Sequence, residues 1–171
     1  MNTTTVNLLT SDLQKEIDHW SAKFPDDKKR SALLMALRIV QKKYGWLSET
    51  LLDQVADYLN CPHIWAYEVA SFYSMFDRAP VGKFKLSVCN SISCHLCDAK
   101  KVMKHLKEKL EIDSHGNSKD GLFTVKETEC LGACAEAPML LLGENKYLGN
   151  MNATKIDALI ESLKKEAKDD R

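Results

Sequence analysis

The chain has 171 residues, room for one ordinary domain or for two small ones sharing a core. Hydrophobic residues make up 44% and charged residues 28%, a globular balance that argues against a disordered or fibrous chain. The 24 basic residues equal the 24 acidic ones, so no global charge points to nucleic acid or to an anionic membrane surface.

In chain order, the first half reads as helices. Ser11 followed by Gln14 has the form of a capping box, which would open a short helix through Trp20. A second helix is predicted from about Lys29 to Tyr44, with Leu33, Leu37, Val40 and Tyr44 on one face and Gly45 as its stop. Ser48 is placed to cap a third helix, which buries Leu51, Leu52, Val55, Ala56 and Leu59 and ends at Asn60. Pro62 suits the first turn of a fourth, carrying Ile64, Trp65, Val69, Phe72 and Tyr73. Its aromatic group, with Tyr67 and Phe76, is expected to lie mostly in the core. Cys61, beside Pro62, is expected to be a small buried residue.

The pattern changes at Ala79-Pro80-Val81-Gly82-Lys83, where proline and glycine interrupt the helical run, so a domain boundary is predicted between residues 80 and 81. Phe84 to Val88 alternates like a strand, Cys89 to Cys97 reads as a loop, and Ala99 to Leu110 is helical. A polar loop leads to a strand over Leu122–Thr128, then to a loop holding Cys130 and Cys134. Pro138 precedes an apolar run from Met139 to Leu142, and Glu144-Asn145 forms the turn of a hairpin into Lys146–Leu148. Asn152 caps a last helix, whose Ile156, Leu159, Ile160 and Leu163 recur at helical spacing. A helix between strands predicts a layered α/β second half after a helical first half, hence an α+β chain.

No stretch approaches the length of a membrane-spanning helix; Ala32 to Leu37 is cut by Arg38. The N-terminus has no Arg before Arg30 and no basic lead to an apolar run, so neither a secretory signal nor a transit peptide is expected. In a reducing compartment the six cysteines are expected to be metal ligands or reactive thiols rather than disulfides.

Four of them form two pairs, Cys89/Cys94 as C-x4-C and Cys130/Cys134 as C-x3-C. Each pair follows a predicted strand, so both can reach one end of the sheet. A [2Fe–2S] cluster needs four thiolates, two per iron, and two loops with two cysteines each meet that demand. Gly132 would let the second loop curl close to the sulfurs. The residues alone leave other chemistries open. Cys89, Cys94 and Cys97 also spell C-x4-C-x2-C, the plant-type spacing, with Cys130 as a distal fourth ligand. Cys94 and Cys97 have the spacing of a redox dithiol, and two cysteine pairs could hold structural zinc. Lys100, Lys104 and Lys107 line one face of the helix after the first pair; a solvated face is the default, and a docking patch is the alternative. No nucleotide-binding glycine loop and no hydrolase triad occurs.

Three further segments carry a resemblance: Glu68-Val-Ala-Ser-Phe-Tyr73, Pro80-Val-Gly-Lys83, and Glu129-Cys-Leu-Gly-Ala-Cys134 running on to Ala137-Pro138. With the cysteine spacings, they resemble the thioredoxin-like [2Fe–2S] component of respiratory complex I, the 24 kDa-type family of NADH-quinone oxidoreductase, from about Ser31 to the last helix. The resemblance implies a helical bundle over residues 1–80 and a thioredoxin-like α/β ferredoxin domain over 81–171. It implies a [2Fe–2S] cluster on Cys89, Cys94, Cys130 and Cys134, the pairs that the spacing also selects. It implies a partner flavoprotein that binds FMN and NADH, and further iron–sulfur subunits. It implies an oxidoreductase active only as part of its complex, held through that complex on the inner face of a bacterial cell membrane without inserting itself. NAD-linked hydrogenases and formate dehydrogenases use the same type of component. This chain departs from the family where a glycine often follows the second ligand: it has His95-Leu96-Cys97, which adds a thiol beside the site.

Overall fold

The computed structural model describes residues 7–169. They fall into two compact units that divide between Pro80 and Val81.

The first unit is helical: α1 (Ser11–Ser21), α2 (Leu33–Tyr44), α3 (Glu49–Tyr58) and α4 (His63–Phe72). Its core is the apolar stripe of each helix, with Ile17, Leu33, Leu37, Val40, Leu52 and Val55 among the fully buried side chains. The capping box at Ser11 does not form. Thr10 is the cap residue, without a side-chain cap bond, and Gln14 Nε2 instead donates to the Leu9 carbonyl at 3.0 Å. The second helix starts at Leu33 rather than Lys29, because Asp26–Ala32 winds as a 3-10 segment with Lys28 off the helical dihedrals. Its end is as expected: Gly45, at φ 83°, donates its N–H to the Gln41 carbonyl at 2.7 Å. Ser48 Oγ accepts from Leu51 N–H at 3.3 Å, and Asn60 turns the chain after α3 at φ 52°. Pro62 sits at the cap position, one residue ahead of α4.

Gln41 is a buried polar residue with a structural task. Its Nε2 donates to the Met75 carbonyl at 2.9 Å and its Oε1 accepts from Asp77 N–H at 2.7 Å. Both ends of the amide are satisfied, so its burial costs little and it ties the segment after α4 to α2. Glu68 accepts from Arg30 at 2.8 Å, and that guanidinium lies 4.5 Å from the Trp65 ring centre.

The aromatic residues of α4 do not lie mostly in the core. Phe76 is buried, and Trp65 and Tyr67 are partly covered, but Phe72 is 81% exposed and Tyr73 39%. The helix packs through small residues, Ala66 and Ala70, which leaves its large side chains outside. Cys61 is half-buried rather than buried.

The second unit is built on a four-stranded sheet of β1 (Phe84–Cys89), β2 (Phe123–Thr128), β3 (Leu140–Leu142) and β4 (Lys146–Leu148), in the order β2-β1-β3-β4. β1 is parallel to β2 and antiparallel to β3, and β3 and β4 form the expected hairpin. β1 is central and almost wholly buried, as a strand covered on both faces should be. Helices α5 (Ile92–Leu96) and α6 (Ala99–Leu110) connect β1 to β2, and α7 (Ala153–Asp169) closes the unit. Asn152 Oδ1 accepts from Lys155 N–H at 3.0 Å, so it caps α7 as expected. Leu86, Phe123, Leu106, Leu140, Ile156 and Ile160 form the core. On the surface His105 and Lys109 of α6 meet Asp157 of α7 at 3.0 and 3.2 Å. A helical unit followed by a mixed-sheet unit is the α+β architecture that the sequence implies.

Candidate metal centre

The parallel register of β1 and β2 builds the site. It pairs Cys89, the last residue of β1, with Thr128, the last of β2. Both strands therefore release their following loops at the same end of the sheet. One loop carries Cys94 and Cys97, the other Cys130 and Cys134.

The segment Cys89–Cys97, read from the sequence as a loop, contains the short helix α5. Ser91, a residue type that favours helix starts, stands just before it and is the one local signal. The helix turns Cys94 inward, where it is 1% exposed, and carries Cys97 to the surface. Cys89 and Cys94 share an apolar cluster with Ala99 and Met139, against which Leu131, Ala133 and Ala137 pack. Residues from both loops thus meet around the first cysteine pair.

Backbone N–H groups aim at the sulfurs. Those of Ser91 and Leu131 reach the Cys89 sulfur, and that of Met139 reaches Cys94. Gly132, at φ 75°, donates to Cys130 Sγ at 3.4 Å. The contact from Leu131 crosses from one cysteine loop to the other. None of these donors is visible in a spacing pattern, because each depends on a tertiary approach. In return Cys89 N–H donates to the Met139 carbonyl at 3.1 Å, which fixes the start of β3 behind the site.

The two buried thiols differ. Burial opposes the charged form of Cys89, but the N–H groups of Ser91 and Leu131 and the Cys94 S–H outweigh it, so its pKa lies below the ordinary thiol value, against the repelling charge of Glu129. Cys94 is pushed up, first by burial, then by its bond to Cys89 and the nearby charges of Cys89 and Cys134. A thiolate that attacks disulfides needs access and a lowered pKa. Cys94 has neither, which counts against a dithiol role with Cys97.

Cys130 and Cys134 are exposed at the rim, with Cys134 opening a short 3-10 turn through Glu136. Among the described residues, no three His, Cys, Asp or Glu side chains converge closely enough to hold a single metal ion. The donor set instead suits an iron–sulfur cluster. It supplies two thiols from each of two loops, and backbone N–H groups directed at three of the four sulfurs, the hydrogen bonding that anionic thiolates require. Cys61 belongs to the other unit, and its thiol is raised chiefly by burial.

The family model of thioredoxin-like [2Fe–2S] ferredoxins matches residues 17–164. An NADH-quinone oxidoreductase E-type component of Rhizobium meliloti (strain 1021), the one numbered 2, is 40% identical over 152 residues, 89% of this chain and 89% of that protein. The NADH-quinone oxidoreductase E-type component of Rickettsia typhi is 39% identical over 165 residues, 94% of this chain and 96% of that protein. Among solved structures, an NAD+-reducing [NiFe]-hydrogenase in the air-oxidized state superposes with a TM-score of 0.67 at 24% identity, covering 78% of this chain and 23% of that one. That likeness concerns the fold.

Proposed function

The chain belongs to the thioredoxin-like [2Fe–2S] ferredoxin family, and from that premise we propose that it is the [2Fe–2S] electron-transfer subunit of an NADH-quinone oxidoreductase, with Cys89, Cys94, Cys130 and Cys134 as its ligands. One observation carries the ligand set: Leu131 and Ala133, which lie between Cys130 and Cys134, pack against the buried cluster of Cys89 and Cys94. The two cysteine loops form one site.

A [2Fe–2S] cluster exchanges one electron at a time. The chain's own residues hold and tune it. Cys89 and Cys94 give a buried side, Cys130 and Cys134 an open side, and the N–H groups of Ser91, Leu131, Gly132 and Met139 offset the charge of the thiolates. Burial keeps free Cys94 protonated, so metal binding there releases a proton. NADH and FMN belong to a partner flavoprotein, and other iron–sulfur subunits complete the complex. The exposed Ile64, Phe72, Tyr73 and Met75 of the helical unit, and Ile92 and Leu96 on α5 beside the site, are surfaces for such neighbours. Among the described residues no helix is long and apolar enough to cross a membrane. The complex itself would hold the chain at the inner face of a bacterial cell membrane. The alternative is the same role in an NAD-linked hydrogenase or formate dehydrogenase; the NADH-quinone oxidoreductase relatives near 40% identity favour the quinone-linked complex.

The test is an iron assay and an EPR spectrum of anaerobically purified, dithionite-reduced protein. Two irons per chain and an S = ½ signal are expected. Cys97→Ser should keep the cluster and Cys134→Ser should lose it. The reverse pattern would assign the plant-type set, with Cys97 as a ligand, and a colourless zinc protein would end the iron–sulfur reading.

A further inference from the structure

The three lysines that stand out on α6 are not part of the metal centre, yet they border it. A groove of about 510 Å³ runs along α6 beside the end of β1. Val88, Cys89, Ala99 and Met103 form its apolar floor, and Lys100, Lys104 and Lys107 stand along it. At i, i+4 and i+7 these lysines share one face and span about 10 Å of helix axis. All three are exposed. Lys100 and Lys107 have no carboxylate partner among the described residues. Lys104 reaches Glu108 only at 3.8 Å, with both side chains largely in water, a pair that contributes little. Glu127, on the other side, accepts from Asn90 Nδ2 at 2.9 Å.

From this arrangement, and resting on the reading of the chain as one component of a larger complex, we propose that the groove receives an acidic amphipathic helix of a neighbouring subunit. Its carboxylates, recurring at the same helical spacing, meet the lysine row, and its apolar face lies on the lysine stems above the nearly buried Val88, Ala99 and Met103. The spacing selects a helix over a small anion. Three ammonium groups strung over two turns do not converge on one phosphate or carboxylate, whereas a facing helix repeats their period. The aliphatic stems of the lysines line the groove and give a facing helix apolar contact that a small anion would not use.

The experiment compares the purified complex with the isolated holo-chain. Both are treated with acetic anhydride, and the complex separately with a carbodiimide that joins lysine amines to carboxylates; modified peptides are read by mass spectrometry. On assembly, labelling of Lys100, Lys104 and Lys107 should fall by about tenfold, as for groups that leave water in an interface. Labelling of Lys119, on the loop before β2, serves as the reference. The cross-links should run from the three lysines to Asp or Glu residues at helical spacing in one neighbouring subunit. Equal labelling in both samples, or cross-links only within the chain or to a second copy of it, would overturn the proposal. The triple variant Lys100→Glu, Lys104→Glu, Lys107→Glu should dissociate from the complex at lower salt with its iron content unchanged. Iron content and EPR on the same samples report separately on the cluster, so a failure of the ligand reading is distinguishable from a failure of the groove.

Discussion

Replacing Gly82 with alanine should damage the ferredoxin unit out of proportion to the single carbon added. Gly82 lies two residues before β1, and its N–H donates to Thr124 Oγ1 at 2.6 Å. A Cβ there would stand 2.6 Å from the Phe123 carbonyl carbon, 2.7 Å from Phe123 N and 2.8 Å from the Leu122 carbonyl carbon. Favourable carbon contacts lie near 3.5–4 Å, so about 1 Å must be found. All three atoms are backbone at the head of β2, fixed by Phe84 N–H on the Leu122 carbonyl and Phe123 N–H on Ser118 Oγ, each at 2.9 Å. No side chain can swing away. Overpacking costs about 1–3 kcal/mol where neighbours adjust, so roughly 3 kcal/mol is expected here. For a unit of this size that is a fall in Tm on the order of 12–24 °C. The comparison is Gly121→Ala, whose Cβ meets nothing within 4 Å but whose φ is 66°. It should cost only the dihedral penalty, about 1–2 kcal/mol. Thermal melts of the holo-chain followed by circular dichroism measure both. A loss in Gly82→Ala no greater than in Gly121→Ala would refute the clash argument. Because β2 runs on to Cys130, the clash should also lower iron content.

Three other outcomes are expected. Ser48→Ala removes the cap of α3 and should cost roughly 0.5–1 kcal/mol, the lower part of the capping range because the 3.3 Å bond is long; an unchanged denaturation midpoint would mean that water replaces it. His63 is raised above its ordinary pKa, chiefly by its hydrogen bond to Asp57, which outweighs the opposing effect of desolvation, with the charges of Asp53 and Asp57 adding to the rise. Its contribution to stability is therefore full below the unfolded value, near 6.5, and is lost as pH rises through the folded value. The Tm difference between wild type and His63→Gln should shrink from about pH 6 to pH 8, and parallel profiles would show that the ion pairs are inert. Glu129→Gln removes a negative charge that opposes the thiolate of Cys89, so the cluster should become easier to reduce. An EPR-monitored titration with no upward shift in midpoint would remove Glu129 from the tuning groups.

The elements with a sustained apolar period were legible in the sequence, and those without one were not. Leu33, Leu37 and Val40 mark α2, and Ile156, Ile160 and Leu163 mark α7, because burial on one stripe writes itself into the spacing. Asp26–Ala32 is mostly charged and has no apolar period, although Ala32 ends in the core, so nothing in it separates a 3-10 segment from an early helical turn. Helix α5 has five residues and buries only Cys94, too few for any period. The aromatics of α4 misled for the opposite reason: the helix is apolar on several sides, and composition cannot tell which of them a neighbour covers. The cysteine pairs were visible as C-x4-C and C-x3-C because such spacings are local. Their hydrogen-bond donors were not, because Leu131 and Met139 reach the sulfurs only after the sheet has formed.

That dependence on the sheet assigns the two cysteine pairs different roles. Cys89 ends the central strand and Cys94 sits on a helix braced by Met139, so their positions follow from the packing of the whole unit. Cys130 and Cys134 follow β2 on an exposed loop, and the Leu131 N–H on the Cys89 sulfur links that loop to the buried pair. A cluster on these four residues would therefore have one side set by the core and one open to a neighbour. Electron transfer between proteins needs both. The rigid, dry side limits reorganisation when charge is added, and the open side lets a donor approach. The exposed Ile92 and Leu96 stand next to the buried Cys94, where a neighbour covering them would bring the metal centre out of water. The same end of the sheet that gathers the cysteines thus also carries an apolar lip, which in the proposed role would be where a donor approaches a cluster held there.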